Sequence, residues 1–287
     1  MASPRLKETF ATTYNDDFVD SDHYHRILFN SGRALQAREL TQMQTIIQKE
    51  IERFGNNIFD AGACVIPGGA NVDNRYSFIK LDTSSNTLPT DYATSVVGTK
   101  FTSTVPSGTI NFTVLEVVEA TGSDPATLYV SYNGGDSGSI TDLAVSAGEN
   151  MTNGSVTLTV QTTNTVANPA TGFGTRVMTG EGTYFVFGHF VFSPASQIIV
   201  SKYTNDYTGV VGFKAEENIV TAADNSALYD NTGSTPNVTS PGADRYQITM
   251  TLIDEADIVA GDTFVWAARI VDGTLEDRPT GSDDYNK

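Results

Sequence analysis

Apolar residues along this chain keep two different periods. From about Ala34 they step by three or four. Leu40, Met43, Ile47, Ile51, Phe54 and Ile58 fall on one helical face, and Gln42, Gln44, Thr45, Gln48, Lys49, Glu52 and Arg53 fill the other. The steps 40 to 51, 43 to 54 and 47 to 58 are each eleven residues long, a spacing that keeps the stripe nearly straight along an α-helix. One long amphipathic helix is therefore predicted over 35–60. Gly55 either ends it or bends it before Ile58 and Phe59. Such a helix either covers a sheet of its own subunit or packs against symmetry copies, and the pattern weighs the two equally.

Elsewhere the period is two. Strands are predicted around Ala63–Pro67 and Tyr76–Leu81, separated by "GGANVDN". Short alternating runs follow, Ile110, Phe112 and Val114, then Leu128, Val130 and Tyr132, bounded by "PSG", "GSDP" and "NGGD" turns. They suggest a small barrel or sandwich over 93–162, inserted into a larger β domain formed by 61–92 and 163–275. "GTYFVFGHFVFSPASQIIVSKY" reads as a hairpin with large residues on both faces, as expected for strands buried twice. "PGADRYQITMTLI" alternates Tyr246, Ile248, Met250 and Leu252 with polar residues, and "DTFVWAARIVDG" adds a further strand. Residues 1–34 have no period, but they carry Phe10, Tyr14, Phe18, Tyr24 and Phe29. These aromatics suit an extended attachment arm that lies on another surface. The polar ending, 276–287, reads as a linker or tail leading into further chain.

The fold class expected is mainly β: an N-terminal arm and one long helix, then an antiparallel β-sandwich or barrel domain carrying an inserted small β domain. Composition agrees. Charged residues are 18% of the 287, below the roughly 25% of ordinary domains, and Thr, Ser, Asn and Gly replace them. Such residues suit strands and tight turns. Seventeen basic residues against thirty-four acidic give a net charge of −17. With no Lys/Arg cluster to displace counterions, nucleic acid is not an expected partner. No apolar run approaches the ~18 residues of a membrane span, and the first ten residues lack the apolar core of a signal peptide. Cys64, the single cysteine, sits in an apolar setting and reads as a buried, inert thiol. A cytosolic origin is expected.

Candidate chemistry is sparse. "DSDHYH" places His23 and His25 beside Asp20 and Asp22, but nothing downstream supplies a metal ligand at a recognisable spacing. His189 reads as a core histidine in mid-strand. The carboxylate pairs Glu216/Glu217, Asp224/Asp230 and Asp283/Asp284 are what thirty-four acidic residues produce by chance. Glycoside hydrolysis needs two carboxylates held ~5 to 9 Å apart across a bond, which adjacency does not provide. No phosphate loop, nucleophile elbow or HExxH occurs. "NGGDSGS" and "NTGSTPN" are turns, and the glycosylation-type triplets at Asn111, Asn153 and Asn237 mean little without a secretory route. No enzymatic role, metal or cofactor is expected.

The stretch "FNSGRALQARELTQMQTIIQKEIERFGNNIF" with the following "GGAN", and the later "GFKAEENIVTAADNSALYDNTGSTPNVTSPGADRYQITMTL", resemble a family of tailed-phage structural proteins. These are tail-fibre or baseplate-associated proteins of contractile-tailed, T4-like phages. The resemblance implies a virion protein, assembled in the host cytoplasm at the tail or baseplate, without catalysis. Its helix would pack in a homotrimer through Leu40, Met43, Ile47, Ile51, Phe54 and Ile58, and its arm would bind other tail or baseplate proteins. Gly32, Arg33, Gly55, Gly242 and Arg245 match the pattern and read as fold-determining. Contact with a host surface is allowed by the resemblance but not required by it. A second reading is a receptor-binding adhesin whose small β unit recognises host glycans. A polysaccharide-degrading spike ranks below both.

Overall fold

Helix α2 spans Ala37–Ile58, after a short α1 at Lys7–Thr13, in a computed structural model that describes residues 6–83, 95–105, 108–135, 144–230, 235 and 237–277. A reciprocal capping box starts α2: the Gln36 side chain accepts the Glu39 N–H, and the Glu39 carboxylate accepts the Gln36 N–H at 2.9 Å. Gly55 does not end the helix, which continues to Ile58. The helix stops at Phe59, which turns extended while its N–H still reaches the Gly55 carbonyl at 2.7 Å.

The strands run in chain order as follows: β1 Cys64–Ile66, β2 Ala70–Lys80, β3 Lys100–Val105, β4 Gly108–Val118, β5 Thr127–Gly135, β6 Asn150–Thr152, β7 Thr157–Thr159, β8 Thr171–Thr179 and β9 Gly182–Val186. The second half adds β10 His189–Ser193, β11 Ser196–Ser201, β12 Gly209–Val220, β13 Tyr229–Asp230, β14 Asn237–Pro241, β15 Arg245–Asp254, β16 Thr263–Val271 and β17 Thr274–Asp277. An eight-stranded antiparallel sheet has the order β11-β8-β2-β5-β4-β3-β6-β7. A second sheet is β15-β12-β16-β17, a third is β1-β9-β10, and β13 pairs with β14. The fold is mainly β and sandwich-like. Val177 of β8, Tyr184 and Val191 of the third sheet, and Phe213, Leu252 and Ile270 of the second sheet share one core.

Strands β3–β7 do not form a barrel, contrary to the sequence expectation for 93–162. They extend the main sheet through the pairing of Ser77–Lys80 with Thr127–Val130, and the chain leaving β7 returns to the end of β2 only by a single bridge, Leu81 with Val160, where the Asp82 N–H donates to the Thr159 carbonyl at 2.9 Å and the Gln161 N–H to the Lys80 carbonyl at 2.8 Å. The reason is β2, which is long enough to pair with β8 on one side and β5 on the other. This end has its own core of Phe101, Phe112, Leu128, Met151 and Leu158, and Ile79, Leu81 and Ala170 complete it from the flanking segments.

Strand β2 also begins earlier than alternation suggests, because "ANVDNR" pairs with β8. Asp73 is accommodated by an ion pair with Arg176 at 3.1 Å, and the guanidinium lies 4.1 Å from the centre of the Tyr76 ring. The register shifts between Asp73 and Tyr76. The extra residue exchanges the two faces of the strand, so Ala70 and Val72 meet the first core and Ile79 and Leu81 the second. Two-residue turns close the hairpins β9–β10 and β16–β17, with positive φ at both central residues: Phe187 (53°) and Gly188 (81°), then Asp272 (50°) and Gly273 (65°). The "PSG", "NGGDSGS" and "NTGSTPN" turns lie partly outside the described residues. Asp283, Asp284 and most of 276–287 lie wholly outside them.

Candidate functional site

Helix α2 covers its own sheet with the face opposite to its apolar stripe. Buried Gly55 rests on the Phe185 ring of β9, and a Cβ at that position would overlap the ring. Gln48 Nε2 donates to the Gly188 carbonyl in the β9–β10 turn at 2.9 Å. Gly188 needs its positive φ, and a Cβ there would also lie 2.8 Å from Glu52 Cγ. Lys49 neutralises Glu52 at 2.6 Å, and Phe59 packs edge-on to Phe190. At roughly 100° per residue, positions 45, 48, 52, 55 and 59 form one face. Leu40, Met43, Ile47, Ile51, Phe54 and Ile58 lie on the other.

Those six positions therefore point away from the chain's own sheets. Leu40, Ile47, Ile51 and Phe54 are 40, 57, 39 and 63% exposed, and Met43 and Ile58 are half-buried. The β9–β10 hairpin beside the helix exposes Phe190 and Phe192 as well. Scattered exposed apolar residues are ordinary on protein surfaces. A helical stripe of them is a contiguous apolar surface.

The arm divides in two. Residues 6–22, which include α1 and so are not simply extended, lie on the chain itself. Phe10 meets Tyr246 edge-to-face at 5.2 Å, and the Tyr14 hydroxyl donates to Asp244 at 2.8 Å. Asp16 accepts from the Thr45 hydroxyl at 2.5 Å, Asp17 pairs with Arg38 at 3.1 Å, and Asp20 pairs with Arg53. Phe18 is half-buried. Residues 23–36 are different: Tyr24, Leu28, Phe29 and Leu35 are all more than half exposed, and only Ile27 is partly covered.

Residues 12–85 and 131–284 match a family described as a domain of unknown function, DUF4815. The chain belongs to that family. No curated protein and no solved structure matches it. The matched segments of this DUF4815 chain include α2, most of the arm and the β9–β10 hairpin. The unmatched 86–130 holds β3 and β4.

The DUF4815 chain also has a polar cleft, of about 490 Å³, at the junction of β2 with the β4–β5 connection. Buried Lys80 lines it, donating to Asn168 Oδ1 at 2.7 Å with its ammonium 3.7 Å from the centre of the Tyr203 ring. Burial lowers the Lys80 pKa, and the nearby Asp124 carboxylate partly offsets that. Asp124 accepts from Lys202 at 2.7 Å and from the Tyr203 hydroxyl at 2.5 Å. Burial, reinforced by that carboxylate, pushes the Tyr203 hydroxyl up to about 12. These groups are committed to one another, so the cluster ties β2, the β4–β5 turn and the end of β11 together. Spread over positions 80, 124, 168 and 202–203, it leaves no local signal in the sequence.

The histidines do not converge. His23 and His25 are exposed. His189 opens β10 instead of lying in mid-strand, half-buried against the Tyr246 ring at 5.5 Å, and burial lowers its pKa. Among the described residues, no three His, Cys, Asp or Glu side chains are grouped to hold a metal. Glu216 and Glu217 point to opposite faces of β12, one toward Lys214 and the other toward the Tyr246 hydroxyl. Cys64 is buried, and among the described residues no helix is long and apolar enough to cross a membrane.

Proposed function

We propose that this chain is a structural subunit of a phage tail, built into the baseplate periphery or a fibre attachment point, with no chemistry of its own. In this reading it assembles with copies of itself, as a homotrimer, through Leu40, Met43, Ile47, Ile51, Phe54 and Ile58. The arm's outer part reaches neighbouring subunits or tail proteins. The observation that carries the proposal is the orientation of α2. A helix that only roofed its own sheet would turn its apolar stripe inward, whereas here the stripe faces out and the covered side of α2 carries Gly55, polar side chains and a single buried aliphatic residue, Ile46. The resemblance of the helix block to tail-fibre and baseplate-associated proteins supports the same reading. Burying one exposed Ile or Phe contributes about 1.5–3 kcal/mol, so three copies of the stripe would supply a substantial interface.

Light scattering of the full chain at micromolar concentration tests self-assembly, with a trimer expected. A stable monomer would overturn it. Mass spectrometry of purified phage particles tests the location, and a particle lacking the chain would overturn that part. An adhesin that meets host glycans through the 93–162 strands ranks second. The polar cleft that Ser123 and Gln161 of that segment help to line is the feature that favours it, and glycan-array binding lost in Gln161→Ala is its test.

A further inference from the structure

Residues 23–36 combine two properties that a free chain segment does not keep without cause. They expose Tyr24, Leu28, Phe29 and Leu35, Leu28 by 74%. They also carry Arg26 and Arg33 and no carboxylate, in a chain whose net charge is −17. Neither guanidinium makes a hydrogen bond or ion pair among the described residues. The segment is fixed at both ends, by the Asp20–Arg53 pair before it and by the Gln36 cap of α2 after it. It is therefore presented beside the helix.

We infer that residues 24–35 of one copy lie across the α2 stripe of a second copy. This rests on the self-assembly reading and names the contact within it. The segment's apolar side chains cover Ile47, Ile51 and Phe54 of the neighbour. Arg26 and Arg33 meet carboxylates exposed beside that stripe, such as Asp60 and Glu50, the latter shared with Arg53 of its own helix at 2.7 Å. Charge selects the occupant: a cationic, apolar strap fits an apolar stripe on a strongly acidic chain, and every copy carries one of each. Because strap and stripe are different surfaces, the contact is head-to-tail, and such contacts close into rings when the rotation permits. A trimer is one such ring.

The test uses the full chain with Phe29 replaced by photoreactive p-benzoylphenylalanine, and with Asn30 as the alternative position should the first block assembly. Unlabelled and ¹⁵N-labelled copies are mixed, irradiated, digested and analysed by mass spectrometry. Mixed-isotope cross-links from the strap to residues 37–58 of α2 are expected. In parallel, Arg26→Glu/Arg33→Glu is expected to weaken assembly at least tenfold at low salt, with the difference shrinking as salt rises. An oligomer whose cross-links stay within one chain, or land away from α2, overturns this contact and leaves the self-assembly reading intact. So does wild-type assembly by the arginine variant. A monomer overturns both.

Discussion

Gly55 and Phe185 touch so closely that no side chain fits between the helix backbone and the ring. A glycine inside a helix ordinarily costs about 1 kcal/mol relative to alanine, so Gly55→Ala should raise the helical propensity of α2. The clash reverses the sign. Phe185 is 1% exposed and in ring contact with Phe59 and Phe190, so it has little room to retreat. Gly55→Ala is expected to destabilise the chain by about 1–3 kcal/mol, as overpacking does. Adding Phe185→Leu should recover part of the loss. Urea denaturation midpoints check both, and an alanine variant as stable as wild type would mean that α2 sits farther from β9.

Neighbouring positions 47 and 48 should behave in opposite ways. Ile47 is 57% exposed, whereas half-buried Gln48 holds the Gly188 carbonyl. Ile47→Asp is expected to leave the fold within about 0.5 kcal/mol of wild type while breaking up the oligomer. Gln48→Asp replaces a donor with an acceptor facing a carbonyl and should cost about 1–3 kcal/mol in folding. Circular dichroism melts of dilute protein, paired with light scattering, separate the two. Equal assembly by Ile47→Asp would remove the stripe from any interface.

The periodicity of Leu40 to Ile58 made the helix legible, and the strands at Tyr246–Leu252 and around Trp266 were legible from alternation. The face of α2 that docks was not. Its partners, Phe185 and Gly188, lie about 130 residues downstream, and the covered face holds a glycine, a glutamine and the lone Ile46, which stands off the apolar stripe. The polar start of β2 was hidden for a similar reason: Asp73 is tolerable in a strand only because Arg176 is opposite. The division of the arm was also invisible, because Phe10 and Tyr14 resemble Tyr24 and Phe29 until Tyr246 and Asp244 are placed beside the first pair.

Acid should loosen the Lys80 cluster through Asp124. Burial alone would raise its pKa, but hydrogen bonds from Lys202 and Tyr203 outweigh burial and hold it below the ordinary carboxylate value. With the folded pKa depressed, its contribution is present above the unfolded value near 4 and is lost as pH falls through the folded value. The side chain is partly exposed, so the effect is about 1 kcal/mol. Asp124→Asn is expected to lower stability at pH 7 by that amount and to flatten the decline below about pH 4. Denaturation midpoints measured across that range decide it. An unchanged acid slope would assign the decline to other carboxylates.

The inner arm should act as a strap on α2 and not as part of the β core. Phe10 and Tyr14 fasten it to β15, while Asp16, Asp17 and Asp20 fasten it to Thr45, Arg38 and Arg53. Exposed ion pairs are individually weak because water screens them, so the two arm-to-helix pairs hold the inner arm only together with the aromatic contact and the hydrogen bonds. Removing residues 1–22 is therefore expected to lower amide protection along α2 by about tenfold, or roughly 1.4 kcal/mol of local stability. Protection in β12 and β16, whose Val211, Phe213, Ala268 and Ile270 are fully buried, should stay unchanged. Hydrogen exchange followed by mass spectrometry resolves these segments separately. If α2 keeps its protection, the Gly55–Phe185 contact and the Gln48 bond hold the helix unaided. If β12 and β16 lose theirs as well, the arm belongs to the core and the division at residue 22 is wrong.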